Sequence, residues 1–452
     1  MNNKDGEVGR TVKAEAEAAV RLRKPNRSQV RMLMQCPDDL VAPEHPVRVV
    51  AALVATLDLS RFCEPIKARE GQAGRDATDP QLLVSLWLYG CIRGIGSARE
   101  LARRCSAEEG SAPFRWLCGD VSVNHHMLSD FRVQHAAALD ELFTQVIVSL
   151  VDKKLVKVKR ISQDGVRVRA GAGASSFRRQ ERLNELLAKA QQHVAELRRQ
   201  LDDPEYAAGL SAKQAAAKRR AAEQKQKRLE QAIAQLPELK KKQERAAKKA
   251  GKGKRGQAIR DKEPRVSSTD AEARVMKMPN GGFNPAVNVQ LATDTESRAI
   301  VAVDVSNEGS DSSGLSEPLR QQVEDRSGQK VEQHLLDGGY IRTDDIEQAH
   351  EQQVELFMPP KPARAPGNRG RELEPKPGDS EAVLAWKARM NSEAGKQIYK
   401  QRAATSETVN ADLRRHRGLG QLTVRGLPKA RCVALWCALA YNVMHFAAAL
   451  LM

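Results

Sequence analysis

Two aspartates in this sequence run straight into glycine at the end of a β-like stretch: Asp164 in ISQDGVRV and Asp337 in LLDGGYI. A carboxylate at a strand tip can leave the sheet and meet something polar. If the two strands are neighbours, both carboxylates reach one point. Hard divalent cations such as Mg²⁺ take oxygen ligands and accept one or two carboxylates together with substrate phosphates. Two such ions, about 3.5–4 Å apart, clamp the attacking and leaving oxygens of a phosphodiester. Either dipeptide alone also reads as a turn. As a pair, in a chain of formal charge +17, they point to metal and phosphate. A third carboxylate is needed, and Glu407 in YKQRAATSETVNADLRRHRGLG is the candidate. Arg414 lies two helical turns further along the same face, with Asn410 between them. On spacing alone, that row is also an ordinary exposed helix surface. Asp270 and Asp294 read as turn residues.

The elements that must position these groups change character along the chain. From about 40 to 150 the pattern is helical. HPVRVVAALVATLDLSRFC puts Val49, Leu53 and Leu57 on one face, Asp79 and Pro80 open a helix as N-cap and first residue, and Ser97 caps the next. NHHMLSDFRVQHAAALDELFTQVIVSLV reads as a further amphipathic helix. Helix–break–helix with Arg93, Arg99, Arg103 and Arg104 exposed fits DNA docking or a plain bundle equally well. LVKVKRISQDGVRVRAGAG then turns to β, with Asp164, Val166, Val168 and Ala170 on one parity. After residue 262 the order is β-β-α-β-α-β and then helices: a strand pair turning at Asp294–Ser297, a strand at VEQHLLDGGY, another at VELFMP, and a basic Pro/Gly loop before helices over 381–416 and 430–451.

Residues 177–262 are a different material. Leu183, Leu187, Ala190, Val194, Leu197 and Leu201 step by four and three, as a heptad seam does. DDPEYAAGLS breaks the seam, a second helix starts near 212, and a lysine-rich tail follows. This reads as an antiparallel helical hairpin inserted in the β region. Its charge is a solvated surface or a contact for a DNA backbone.

At 452 residues the chain is too long for one ordinary core. The seven cysteines are odd in number and lack a CxxC pair, which speaks for a reducing compartment without a disulfide frame or zinc cluster. The first twenty residues are polar, with no apolar core of a signal peptide. The apolar C-terminal segment is interrupted by Asn442 and His445 and reads as a buried helix, not a membrane span.

Taken in order, these stretches resemble the bacterial insertion-sequence transposases with a DDE catalytic triad. QDGVRVRAGAG looks like the first-Asp motif and LLDGGYIRTDDIE like the second. YKQRAATSETVNADLRR is similar to the Tyr–Arg–Glu–Lys signature around the catalytic Glu, and the N-terminal stretches look like the helical domain before the core. The resemblance implies an α/β fold: an RNase H-like mixed sheet flanked by helices, with an all-α N-terminal domain and an inserted helical hairpin. The boundaries expected are a disordered tail over 1–28, the helical domain over 29–152, and the catalytic domain over 153–452 interrupted by a coiled-coil insert at 177–262. Asp164, Asp337 and Glu407 become catalytic metal ligands for Mg²⁺ or Mn²⁺, two ions. Tyr399, Arg402 and Arg414 become contacts to DNA. The partners implied are double-stranded DNA, as transposon ends and target, and a second copy of the chain; no membrane is involved. The place is the cytoplasm, on the nucleoid when DNA is bound.

Three features depart from the family pattern. Arg402 to Glu407 is one residue longer than in the best-known relatives, Arg414 stands where Lys is usual, and Gln163 stands where an apolar residue is expected. The alternatives are a nuclease without strand transfer, a DNA-binding relic with an inactive catalytic domain, and a coiled-coil interaction protein.

Overall fold

Caps and proline positions set the first helices as their residue types dictate. In the computed structural model, which describes residues 28, 34–69, 71, 73–309, 314–362 and 369–451, seven helices precede the sheet. They are α1 (Pro46–Thr56), α2 (Ser60–Cys63), α3 (Pro80–Ile92), α4 (Ala98–Cys105), α5 (Ala112–Cys118), α6 (His125–Gln134) and α7 (Ala136–Asp152). The Asp79 carboxylate accepts from the Gln81 amide at 2.8 Å, and Ser97 Oγ accepts from that of Glu100 at 3.4 Å. The tail expected over 1–28 lies outside the described residues except for Ser28, as do residues 363–368 of the Pro/Gly loop.

Two helix readings need correction. The single helix expected from Asn124 onward is two, α6 and α7, broken at His135, whose φ of −108° and ψ of 47° are not helical. In α1 the buried face is Val47, Val50, Leu53 and Val54, so of the expected trio only Leu53 is buried. The stripe is set by what α1 packs on: α3, which is buried on almost every side.

The strands are β1 (Arg160–Arg169), β2 (Phe177–Arg178), β3 (Val266–Ser267), β4 (Arg274–Lys277), β5 (Phe283–Asp294), β6 (Ile300–Ser306), β7 (Gln333–Leu335) and β8 (Glu355–Phe357). The main sheet runs β6-β5-β1-β7-β8, with β4 also pairing the start of β5. β5 is antiparallel to β1 and β6, while β7 and β8 run parallel to β1 and to each other. This mixed sheet with helical cover is the RNase H-like arrangement the motifs imply. β1 is central, so its residues can be reached from both faces and its neighbours decide what they meet.

The insert leaves and returns through the two-residue ribbon of β2 and β3. It holds α8 (Gln180–Asp202), α9 (Pro204–Ala208), α10 (Ala212–Ala234), α11 (Leu236–Ala250) and α12 (Lys254–Arg260). Leu183 and Ala190 cluster with Leu229, Ala232 and Leu236, whereas Val194 and Leu197 cluster with Ala222. Early residues of α8 thus meet late residues of α10, which makes the pair antiparallel. The lysine-rich tail is not a plain tail: it forms α11 and α12, and Pro237 at the start of α11 marks the break from α10.

Helices α13 (Ser316–Ser327), α14 (Thr343–Glu351), α15 (Glu381–Asn391), α16 (Glu393–Arg402), α17 (Thr408–His416) and α18 (Leu427–Leu451) complete the fold. One apolar core takes in the N-terminal helices, the centre of the sheet and α18. A smaller one lies under β7, β8, α14 and α15. Among the described residues α18 alone is long and apolar enough to cross a membrane, and two thirds of its most apolar window, 67%, is buried inside the protein. Asn442 has a structural use there. It is fully buried, accepts from the Ile300 amide at 2.9 Å and donates to the Ile300 carbonyl at 2.8 Å, tying α18 to the start of β6. The seven cysteines are free thiols.

Candidate active site

Asp164 is not at a strand end. It sits inside β1, opposite Leu291 of β5, and Gly165 continues the ladder opposite Gln290. What ends there is the pairing with β7: the parallel register stops at Ser162 opposite Leu335. Two residues beyond that last pair, on either strand, stand Asp164 and Asp337. Each aspartate thus stands two residues past the last pair of neighbouring parallel strands, Asp164 still within β1 and Asp337 just beyond β7. Asp337 caps the short 3₁₀ turn Gly338–Tyr340, and its Oδ1 accepts from the Gly338 amide at 2.6 Å. Gly338 has a local reason: a Cβ there would come within 3.2 Å of the Pro359 carbonyl oxygen.

The helices from residue 393 to 416 cross over β1. Ser406 Oγ lies 2.6 Å from Ser162 Oγ, Arg402 Nη2 donates to Asp164 Oδ1 at 2.9 Å, and Asn410 Nδ2 donates to Asp164 Oδ2 at 2.8 Å. Both oxygens of Asp164 are thus engaged. Arg402 and Asp164 are 12% and 21% exposed, so their attraction is weakly screened. Burial alone would lower the Arg402 pKa; Asp164, Tyr399 and Asp337 outweigh it and raise it. Burial pushes the Tyr399 hydroxyl up, with Asp337 and Asp164 adding to the rise and Arg402 opposing it. The same two carboxylates therefore act on the same two side chains. Arg402 Nε is buried and has no partner, leaving one donor unspent.

Arg402 and Glu407 are joined by a π-helical turn, Ala403–Glu407. Such a turn closes on i+5 and holds one residue more than an α-turn. The extra residue noted between Arg402 and Glu407 is absorbed here, so the helix on either side keeps its phase. Val409 and Leu413 are fully buried beyond it. Glu407 itself is exposed and makes no ion pair among the described residues. No three His, Cys, Asp or Glu side chains among the described residues converge to hold a metal ion.

The structure thus brings together Asp164, Asp337, Tyr399 and Arg402, and leaves Glu407 facing solvent. Arg414 faces a cleft of about 630 Å³, lined also by Arg169 at the end of β1, Arg415, and backbone of Gly94, Gly96 and Gly418. Gly418, at φ +79°, lies where a Cβ would press on the Gly94 carbonyl at 3.3 Å, so this side of the cleft is built by close backbone approach. Gln163 also gains a reason. It is fully buried and its Nε2 donates to Gln290 Oε1 at 3.0 Å, an oxygen that the Tyr340 hydroxyl also reaches. Sequence reasoning noted Asn410 without a role and missed Arg169, Ser162, Ser406 and Gln290. The polar Gln163 in a strand was the available signal for the buried network. Asp294 is a turn residue as expected, accepting from the Ser297 amide at 2.8 Å. Asp270 accepts from the amides of Glu272 and Gly426.

Residues 35–134 match the family model described as a transposase domain, and residues 253–443 match that described as a transposase DDE domain. The chain belongs to the insertion-sequence DDE transposases. The DDE match takes in Asp337 and Glu407 and begins after Asp164. No curated protein and no solved structure matches the transposase chain. Membership of the family implies a DNA substrate and, in general, dependence on a divalent metal.

Proposed function

We propose that this transposase binds the terminal inverted repeats of its element, cleaves the DNA at their ends and joins the freed ends to a target. The observation that carries this is that Asp164 and Asp337, each two residues past the last pair of neighbouring parallel strands, both act on the same arginine, Arg402. The donor set is all carboxylate, which suits a hard divalent ion. Asp164 and Asp337 would hold Mg²⁺ or Mn²⁺, with Glu407 as the third donor; two ions are the complement such a site takes. In the arrangement seen, Arg402 and Asn410 occupy Asp164. When bound, the ions supply charge stabilisation at the attacking and leaving oxygens of a phosphodiester and lower the pKa of a water.

The chain's own side chains do the positioning. Arg402, with its unspent Nε, and Tyr399 beside it would grip a phosphate next to the carboxylates. Arg169, Arg414 and Arg415 would carry the neighbouring backbone through the cleft at Gly94 and Gly418. Water attacks phosphorus at the transposon end, and the P–O bond to the 3′ oxygen breaks, leaving a 3′-OH. That hydroxyl then attacks a target phosphodiester in line, so one P–O bond forms as another breaks. No protein nucleophile and no external energy source is required. Two protomers on paired ends would form the working complex. A helical domain over 29–152, the catalytic domain over 153–452 with which it shares an apolar core, and the insert over 177–262 are the division we propose.

The test is an end-joining reaction: duplexes carrying the element's ends, a supercoiled target plasmid and Mg²⁺. Joined product supports the reading. End cleavage without joining would establish the nuclease alternative, and binding without cleavage the inactive relic.

A further inference from the structure

The root of the insert holds a cluster of cations that the chemistry above does not use. Arg178 on β2, Arg182 on α8, Lys225 and Arg228 on α10, and Arg425 in the segment before α18 line a cleft of about 370 Å³. Ser268 and Thr269 line it as well. Arg182 pairs with Glu185. Among the described residues none of the other four makes an ion pair. Arg228 and Arg425 line the cleft together, and burial together with the Arg425 charge lowers the Arg228 pKa. Like charges held close in a partly desolvated place cost free energy unless an anion sits between them. Arg228 and Arg425 also line the adjoining cleft with Asp270 and Glu272, but among the described residues neither carboxylate forms an ion pair with either arginine.

The segment Gln421–Arg425 connects this cluster with the active-site side. Gln421 and Thr423 line the cleft of Arg169 and Arg414, the Leu422 amide donates to the Arg169 carbonyl at 2.8 Å, and Arg425 opens onto the insert root. Four residues span at most about 13 Å, no more than roughly four base-pair steps of duplex. One DNA backbone passing the first cleft can therefore reach the second.

We propose that the insert root is a second phosphate-binding site for duplex DNA, formed by Arg178, Lys225, Arg228 and Arg425, which holds the DNA beside the catalytic sheet. This rests on the reading of the chain as a DNA-cleaving transposase. The test is fluorescence anisotropy of an end-bearing duplex titrated with the full chain across a series of salt concentrations. Wild type is compared with Arg228→Ala/Arg425→Ala and, as a fully surface change, with Lys225→Glu; urea midpoints check that the fold is kept. Each phosphate contact contributes about 0.9 to the slope of log K against log salt. The double variant is expected to lose about 2 from the slope and at least tenfold in affinity near 0.1 M salt, and Lys225→Glu to lower both. Wild-type slopes and affinities in both variants, with wild type itself binding and cutting DNA, would overturn the inference alone. Failure of wild type to bind or cut DNA would overturn the transposase reading with it.

Discussion

The π-helical turn at Ala403–Glu407 makes a sharp prediction about chain length. An α-helix turns about 100° and rises about 1.5 Å per residue. One alanine inserted after Ala404, with the turn already full, rotates everything beyond it by that amount. Val409 and Leu413, both fully buried, leave the core, and Asn410 leaves Asp164. Burying a Val or Leu side chain contributes about 1.5–3 kcal/mol, so the insertion costs about 3–6 kcal/mol, a large part of a typical total stability. Deleting Ala404 does the opposite. It removes the surplus residue, returns the segment to an α-turn and keeps the phase on either side, with a change below about 1 kcal/mol. Urea unfolding followed by circular dichroism measures both, and end cleavage reports whether Arg402, Asn410 and Glu407 keep their places. The insertion is expected to lower the midpoint strongly and abolish cleavage, the deletion to leave both near wild type. Equal damage from the two, or a harmless insertion, would refute the reasoning.

Two further outcomes follow from buried groups. Replacing Asn442 with Ala leaves the Ile300 amide and carbonyl without partners, and at about 1–3 kcal/mol for each unsatisfied group the loss is roughly 2–6 kcal/mol, read as a lowered urea midpoint; a change under about 1 kcal/mol would show that the pair does not tie α18 to β6. His334 on β7 is fully buried, and burial, with the Arg320 charge beside it, pushes its pKa down to about 3. An unfolded histidine takes up a proton near pH 6.5, so stability is held above that pH and lost as pH falls toward 3, at up to about 1.4 kcal/mol per pH unit. His334→Leu should flatten the urea midpoint between pH 6.5 and 4, and an unchanged slope would exclude His334 as its source.

What was legible in the sequence was local. The caps at Asp79 and Ser97 and the turn at Asp294 are set by residues within one turn of each other, and the structure shows them as read; of the seam read in α8, Leu183, Ala190, Val194 and Leu197 are buried and Leu187 and Leu201 only partly so. The kink at His135 carried no Gly or Pro and could not be seen. Asp164 was placed at a strand end because Asp-Gly usually marks a turn; the strand continues because Gly165 pairs with Gln290 in the sheet interior. That β1 and β7 are parallel neighbours, which brings the two aspartates to one side of the sheet pairing, depends on contacts about 170 residues apart, and the motifs implied it only through the family they resemble. The surplus residue before Glu407 was visible, but its π-helical form follows from the need to keep Arg402 and Leu413 both facing the sheet. Arg402 and Asn410 both engaging Asp164 is a long-range outcome that no spacing rule encodes.

The most direct measurement of the central claim is end cleavage of a labelled duplex by wild type, Asp164→Asn, Asp337→Asn and Glu407→Gln, in Mg²⁺ and in EDTA, with DNA binding measured in parallel. The account expects nicking at the element ends by wild type in Mg²⁺ alone, and loss of at least a thousandfold in each variant with binding kept. Cleavage that survives EDTA, or survives the loss of any one of the three carboxylates, would contradict it.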